Sequence, residues 1–278
     1  MNKAIQLSYN DEFEYRCGCA ASAGFRHVAV AYTEVVGKSD AEWEAITADI
    51  LRILGKNALT CVQTHPHYYY PLLTSDELCE DMERDMRMAI ASSGAIGAHY
   101  CVFHPVVAAG YDADKTLEDN KRWYAGLLDC AVRHGTGIAA ENLPLFNAPG
   151  TPRPPRPSNC ELLAPLADYF NDPRMGICWD FGHANQTVRD AHAEWIATLG
   201  SRIKCTHVHN NYGSLDCHIP PIYGNTEWRK VLPALLAAGY DGPLTLEVDF
   251  PYASDRELMA STIRHCYDCL AFLERMAK

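Results

Sequence analysis

Short apolar runs alternate with segments of helical periodicity along the whole chain. The runs are rich in β-branched residues and have the length of buried strands. Between them, apolar residues recur every three or four positions, as on the buried face of an amphipathic helix. Eight such runs are predicted as strands, at residues 4–8, 27–32, 58–65, 99–106, 137–143, 175–181, 203–209 and 243–250.

The clearest helix is predicted over residues 39–54, where Ser39 and Glu42 form a capping box and an apolar stripe follows. Thr74 and Glu77 repeat this start signal before a helix that reaches about residue 91. The remaining predicted helices cover residues 17–23, 115–134, 159–169, 191–199, 226–238 and 255–276.

This alternation predicts a parallel sheet, because parallel strands need crossover connections, which are usually helices. Eight units favour a closed (β/α)8 TIM barrel, although the count alone leaves an open doubly wound sheet as an alternative. No glycine-rich GxGxxG motif follows the first run, and that motif is the best sign of the open fold. Such a barrel takes about 250 residues, so we expect one domain over residues 1–278.

The composition excludes some classes of partner. A formal net charge of -11 and the lack of a basic cluster argue against nucleic acid, which is bound mainly through lysine and arginine contacts to phosphate. The chain lacks a cationic, apolar leader and any apolar stretch of about 18 residues, so we expect a cytoplasmic protein without membrane contact. The 12 cysteines lie largely in apolar runs or at helical spacing, which favours reduced, buried thiols.

Four acidic or imidazole residues follow the downstream ends of apolar runs: Glu141, Asp180, His207 and Glu247. In a parallel barrel, all strand ends of one polarity meet at one rim, so these residues are expected to converge. Carboxylates and an imidazole together are typical ligands of a divalent ion such as Mn²⁺, Zn²⁺, Co²⁺ or Mg²⁺. The two glutamates are also candidates for catalytic proton transfer.

Further histidines occur near the same predicted strand ends, which makes packing a poor explanation for all of them. His209 shares a strand face with His207, so both are expected to point inward. Trp179 should instead face the helix layer. The candidates for additional metal or substrate contacts are His65, His104, His183, His209, Asp216 and His218.

A proline-rich stretch over residues 144–157 directly follows the strand that carries Glu141. Its composition does not suit a helix or an inner strand, which predicts a long rim loop. The loop is either a solvated connection or a lid whose Arg153 or Arg156 meets an anionic substrate group. Tyr68 lies near the mouth and is a candidate for covering a sugar face, with rim packing as the alternative.

The segments AENLP, CWDFGHAN, THVHNNYGSLDCHIPPIYG and LTLEVD resemble the xylose isomerase-like TIM-barrel superfamily, which holds sugar and sugar-phosphate isomerases and epimerases and the endonuclease IV enzymes. In the ketose 3-epimerase-like members, one divalent ion is held by Glu, Asp, His and Glu. The resemblance implies that role for Glu141, Asp180, His207 and Glu247, with His209 as the alternative to His207. The endonuclease-like members add further ligands, which match His65, His104, His183, Asp216 and His218.

Three departures from the family pattern leave the subfamily open. The motif H-x-x-D after the seventh strand has Asn210 in place of aspartate, and the segment after Asp216 and His218 reads IPPIYG rather than a glycine-rich turn. The residues after Glu141 also lack the glycine-rich continuation of the endonucleases.

The resemblance implies an enzyme that isomerises or epimerises a sugar, keto-sugar or sugar phosphate through a metal-stabilised enediolate, with Glu141 and Glu247 as acid and base. The alternatives are an endonuclease IV-like phosphodiester hydrolase, a metal-dependent lyase on a related sugar, and a noncatalytic binding barrel. The expected partner is a small carbohydrate. Whether the chain forms a homo-oligomer is left open by the sequence.

Overall fold

The computed structural model describes residues 1–67, 76–106, 112–144, 160–250 and 255–277, and for residues 76–81 only the backbone. Within these residues, eight strands form one parallel sheet, one at each predicted run. The strands are β1 (Lys3–Ser8), β2 (His27–Ala31), β3 (Thr60–His65), β4 (Tyr100–Phe103), β5 (Gly137–Glu141), β6 (Met175–Asp180), β7 (Ile203–His207) and β8 (Leu244–Leu246).

The sheet closes into a barrel. Each strand from β1 to β6 is hydrogen-bonded to the next one in sequence, and β8 pairs with β1. Just beyond β7, Val208 forms a parallel bridge with Leu246, and its N–H donates to the Thr245 carbonyl at 2.7 Å. This contact joins the two ends of the sheet. The TIM barrel is confirmed, and the open doubly wound alternative is excluded.

Helices occupy the connections between the strands. The helices are α1 (Phe13–Ala23), α2 (Asp40–Lys56), α3 (Asp76–Ala95), α4 (Ala113–His134), α5 (Cys160–Phe170), α6 (Phe181–Thr187), α7 (His192–Leu199), α8 (Trp228–Ala237) and α9 (Arg256–Met276). Short 3-10 turns at Arg189–Ala191 and Gly200–Arg202 flank α7.

The local signals at the helix ends are largely confirmed. The Ser39 side chain accepts a hydrogen bond from the Glu42 N–H, and the Glu42 carboxylate accepts one from the Ser39 N–H, which completes the capping box of α2. Helix α1 begins four residues before its predicted start at residue 17 and ends at Gly24, whose φ of 113° suits glycine. The second predicted capping pair lies outside the residues whose side chains are described.

The core has two layers. The larger one lies between the outer face of the sheet and the helices, and it contains Trp179, fully buried as expected. A smaller one fills the barrel interior with Val102, Ala139, Cys178 and Cys205. The polar rim described below lies above this inner layer, at the carboxyl ends of the strands.

The eleven cysteines whose side chains are described are all free thiols. Burial raises the pKa of several of them, including Cys17, Cys61 and Cys101, to about 12. These thiols therefore stay protonated and behave as small apolar side chains. Among the described helices, none has both the length and the apolar composition needed to cross a bilayer.

A buried histidine in the outer layer gives the fold a defined pH dependence. The Trp179 Nε1–H donates to His192 Nε2 at 2.9 Å, and burial lowers the pKa of His192 to about 3 from an ordinary value of 6.5. Below about pH 6.5 the unfolded chain therefore binds a proton that the folded chain does not. The free energy of unfolding should fall as the pH falls from about 6.5 towards 3.

We expect His192→Gln to weaken this dependence, because glutamine still offers an acceptor to Trp179 but does not titrate. The difference in slope is at most about 1.4 kcal/mol per pH unit. Urea unfolding of both proteins between about pH 7 and pH 5 measures it. Equal slopes for the two proteins would show that His192 does not contribute.

Candidate metal centre

The carboxyl ends of the strands meet at one rim, and the predicted site residues lie there. Glu141, Asp180 and His207 are the last residues of β5, β6 and β7. His65 is the last residue of β3, His104 directly follows β4, and Glu247 directly follows β8. Parallel strand direction alone therefore collects side chains that are far apart in sequence.

Four of these residues form a central cluster, defined as Glu141, Asp180, His207 and Glu247, whose donor atoms all lie within 4.8 Å of one another. His207 Nδ1 is 3.0 Å from Glu141 Oε1, 3.0 Å from Glu247 Oε2 and 3.8 Å from Asp180 Oδ2. Two donors that are each about 2.1 Å from a shared ion lie about 3.0–3.4 Å apart. Most of these spacings suit a single divalent ion.

Two further groups adjoin the central cluster. In the second cluster, the Nε2 atoms of His65 and His104 each lie 3.3 Å from Glu141 Oε2, so Glu141 belongs to both clusters. The third cluster contains His183, His209, Asp216 and His218. The structure thus brings together all ten residues that the sequence nominated as ligands or additional candidates.

Two imidazoles are oriented by backbone carbonyls. His65 Nδ1 lies 2.8 Å from the Pro66 oxygen, and His183 Nδ1 lies 2.7 Å from the Asn142 oxygen. A carbonyl oxygen only accepts, so Nδ1 carries a hydrogen, and Nε2 is the nitrogen left to bind a metal. In both residues Nε2 faces a carboxylate of the clusters. This arrangement is typical of metal-bound histidines.

The electrostatics of the rim couple ionised carboxylates to imidazoles. Burial alone would raise the pKa of Glu141, but contacts with His207, His104 and His183 outweigh it and hold the pKa well below its usual value. Burial likewise opposes protonation of His218, yet its hydrogen bond to Asp216 and the charge of Glu247 raise its pKa to about 9. Without a cation, protonated imidazoles therefore balance the carboxylates.

A divalent ion fits this donor set. Within the described residues, the ion pairs of the central carboxylates are all with histidines. Glu247 Oε2 is buried without a hydrogen-bond partner among those residues, although it faces His207. Burying a carboxylate oxygen without a hydrogen bond is costly, and a cation would add to the compensation that the charge of His207 provides. Mixed carboxylate and imidazole donors suit Mn²⁺, Co²⁺ or Zn²⁺.

Two positioning residues were missed by the sequence analysis. Gln6 on β1 donates from Nε2 to Glu247 Oε1 at 2.5 Å. Asn142 holds the end of β6 through hydrogen bonds with both the N–H and the carbonyl of Asp180, at 2.7 and 2.8 Å. A signal for Gln6 was present, because it is a long polar residue on the inward face of an apolar strand.

The asparagine that departs from the family pattern has a structural role. Asn210 Oδ1 accepts a hydrogen bond from Thr226 Oγ1 at 2.6 Å, and its Nδ2 donates to the Pro221 carbonyl at 2.9 Å. The amide supplies both an acceptor and a donor, which a carboxylate does not. Asn210 therefore ties the IPPIYG segment to the residues that precede α8.

Three predicted substrate contacts, Tyr68, Arg153 and Arg156, lie outside the described residues. The proline-rich stretch 144–157 is described only at Pro144. Their interpretation as mouth and lid residues stays a prediction.

The chain is similar to known proteins over most of its length. The sequence profile of the xylose isomerase-like TIM barrel matches residues 18–269. Over 169 residues the chain is 30% identical to the uncharacterised protein y4fM of Sinorhizobium fredii, a match that covers 58% of this chain and 51% of that protein. The chain spans about half the length of the curated relatives it matches.

Solved structures share the fold at low sequence identity. D-psicose 3-epimerase from Clostridium cellulolyticum H10, determined with D-tagatose, aligns with a TM-score of 0.76 and 14% identity over 100% of both chains. The apo form of 3-keto-D-glucoside 4-epimerase from E. coli aligns with a TM-score of 0.75 and 14% identity over 99% of this chain and 100% of that one.

Proposed function

Because the chain belongs to the xylose isomerase-like TIM-barrel family, we propose that it is a divalent-metal-dependent isomerase or epimerase of a sugar, a keto-sugar or a sugar phosphate. The observation that carries the proposal is the central cluster, in which Glu141 and Glu247 each lie 3.0 Å from the same nitrogen of His207. The similar folds of a ketose 3-epimerase and a keto-glucoside 4-epimerase support it.

A divalent ion, when bound to Glu141, Asp180, His207 and Glu247, would polarise a substrate carbonyl and stabilise the negative charge of an enediolate. The chain's own carboxylates supply the proton transfer. One glutamate removes the proton from the carbon next to the carbonyl, and a glutamate on the opposite face returns a proton there, which inverts the stereocentre. Return of the proton to the neighbouring carbon gives isomerisation instead.

The two glutamates differ in access and therefore in role. The Glu247 side chain is 14% exposed and the Glu141 side chain 1% exposed, so Glu247 is the more accessible to a substrate that enters from the rim. Burial would raise the pKa of Glu247, but the charge of His207 keeps it below its usual value, so Glu247 is ionised at neutral pH. We assign Glu247 as the base that removes the proton, and Glu141 as a ligand that also returns a proton on the opposite face.

The test is NMR of the purified chain in deuterated water with a panel of ketoses, keto-glycosides and sugar phosphates. We expect deuterium to enter at a carbon next to the carbonyl of at least one compound. The exchange should stop after chelation and return when Mn²⁺ or Co²⁺ is added. Absence of exchange across the panel in a chain shown to hold metal would contradict the proposal.

A second candidate function, an endonuclease IV-like phosphodiester hydrolase, is favoured by one observation. The second and third clusters add histidines and Asp216 beyond the donors that a single ion needs, and several ions in one site suit hydrolysis of phosphate esters. The formal net charge of -11 opposes it, because DNA affinity depends largely on phosphate contacts.

The two candidates give opposite results in paired assays. Metal-dependent nicking of abasic DNA without deuterium exchange supports the hydrolase, whereas exchange without nicking supports the epimerase or isomerase. A lyase on a related sugar shares the exchange step and is distinguished by bond cleavage, which the same NMR spectra report as new product signals.

A further inference from the structure

His209 belongs to the third cluster, but it also lies close to the central cluster, so distances alone do not define its role. It is fully buried, and its Nε2 lies 3.0 Å from Asp180 Oδ2 and 3.9 Å from Asp216 Oδ1. One of its ring nitrogens lies within 4.8 Å of donor atoms of His183, Asp216 and His218, which is close enough for a fourth donor to one ion. The orientation of its ring contradicts that grouping.

The imidazoles of His209 and His218 are stacked face to face, with ring centroids 3.9 Å apart and an interplanar angle of 6°. The lone pair of an imidazole nitrogen lies in the ring plane, so a bound ion must also lie near that plane. Because the ring centroids are 3.9 Å apart, an ion midway between the two rings would be displaced by about 2 Å from each ring plane. That displacement is as large as the length of a metal–nitrogen bond. The two histidines therefore do not bind the same ion in this arrangement.

Two contacts identify His218 as the donor. His218 Nε2 and His183 Nε2 each lie 3.1 Å from the same oxygen, Asp216 Oδ2. Their rings are nearly perpendicular, at 79°, so the two ring planes intersect and an ion can lie in both. His209 Nε2 is directed instead at Asp180, a member of the central cluster.

We propose that His209 is a positioning residue rather than a metal donor, an inference that rests on the proposed metal-dependent function. Its Nε2–H donates to Asp180 Oδ2, while the other oxygen of Asp180 accepts from the His183 N–H at 2.6 Å. His209 also supports the third cluster, because the face of its imidazole ring packs against the ring of His218. One imidazole thus aligns a donor in each of two clusters.

The backbone next to Asp180 is adapted to this ring. A Cβ built on Gly182 would overlap the imidazole of His209, so any larger residue there must displace the ring. Gly182→Ala therefore tests the position of His209 without changing any donor atom. Hydrogen bonds to metal-bound carboxylates and histidines commonly change metal affinity about 10–100-fold when they are removed.

The experiment compares Co²⁺ binding by the chelator-treated wild type with binding by His209→Gln, His209→Ala, Gly182→Ala and His218→Gln, with stoichiometry and affinity from competition with a chelating dye. Glutamine carries an N–H at about the position of Nε2 but is a poor ligand for Co²⁺. We expect H209Q to bind as many ions as the wild type with affinity within about threefold. H209A and G182A should bind about 10–100-fold more weakly at the Asp180 site.

H218Q is the matched control for loss of a true donor and should bind one ion fewer. Loss of one ion in H209Q, as in H218Q, would overturn the role given to His209, and so would unchanged affinity in both H209A and G182A. Circular dichroism of each variant establishes that it is folded, and H209Q decides the question should H209A unfold. A wild type that binds no Co²⁺ would overturn the proposed function as well, a result distinct from either variant outcome.

Discussion

The E141Q variant is expected to lose metal affinity by at least about 100-fold and catalytic rate by at least about 1000-fold. Glu141 is the residue shared by two clusters: its Oε2 faces His65 and His104, and its Oε1 faces His207 and His183. Glutamine keeps the shape of the side chain but removes the negative charge. The four imidazoles would then surround a neutral amide, which is a poor ligand and whose NH₂ group donates rather than accepts.

Metal content of the purified protein and initial rates on the substrate found by NMR measure this effect. E44Q is the matched control, because Glu44 is exposed on α2 and the same chemical change there should leave both quantities unaltered. An E141Q protein that retains wild-type metal affinity would show that Glu141 is not a ligand. Retention of the wild-type rate would show that the central cluster is not the reaction site.

The E247Q variant is expected to separate proton transfer from metal binding. Glu247 is the more exposed of the two glutamates, and Gln6 already holds one of its oxygens through a 2.5 Å hydrogen bond. Glutamine keeps an oxygen directed at the ion when the Gln6 amide turns over, so that the otherwise unbonded Gln6 Oε1 accepts from the new NH₂ group, but glutamine cannot remove a proton from carbon. We expect the exchange rate to fall about 10²–10⁴-fold, the usual contribution of a positioned acid or base, with a much smaller loss of metal than in E141Q.

Deuterium exchange under metal saturation measures the E247Q effect directly. Saturation removes the part of the loss that comes from weaker metal binding, so the remaining loss reports on proton transfer. Exchange within about threefold of the wild type would assign the base to another residue. Loss of all bound metal, as in E141Q, would show that Glu247 acts chiefly as a ligand.

The positions of the strands could be predicted from the sequence because buried parallel strands are short apolar runs with distinct boundaries. The rim residues followed from them, since strand direction alone determines which end carries Glu141, Asp180 and His207. The carboxyl ends of the strands were predicted less accurately than their positions along the chain. Strands β7 and β8 stop at His207 and Leu246 rather than at residues 209 and 250. Beyond them the two strands share only the isolated bridge at Val208, and the backbone then bonds to the loop that contains His218 and Ile219.

Other features depend on contacts that no local pattern contains. Helix α6 was not predicted, because FGHANQT has no apolar period, and its start is fixed by the Asp180 side chain that accepts from the His183 N–H. The sequence nominated His209 as an additional ligand, but the mutual orientation of two rings decides its role. Ring orientation arises from tertiary packing, here against Gly182, and spacing along the chain carries no information about it.

The most direct test of the central claim is anomalous X-ray diffraction from crystals of the chain grown with Mn²⁺. We predict an anomalous peak between Glu141, Asp180, His207 and Glu247, at about 2.0–2.3 Å from a donor atom of each residue. A map from Mn²⁺-saturated crystals with no peak among these four side chains would contradict the account.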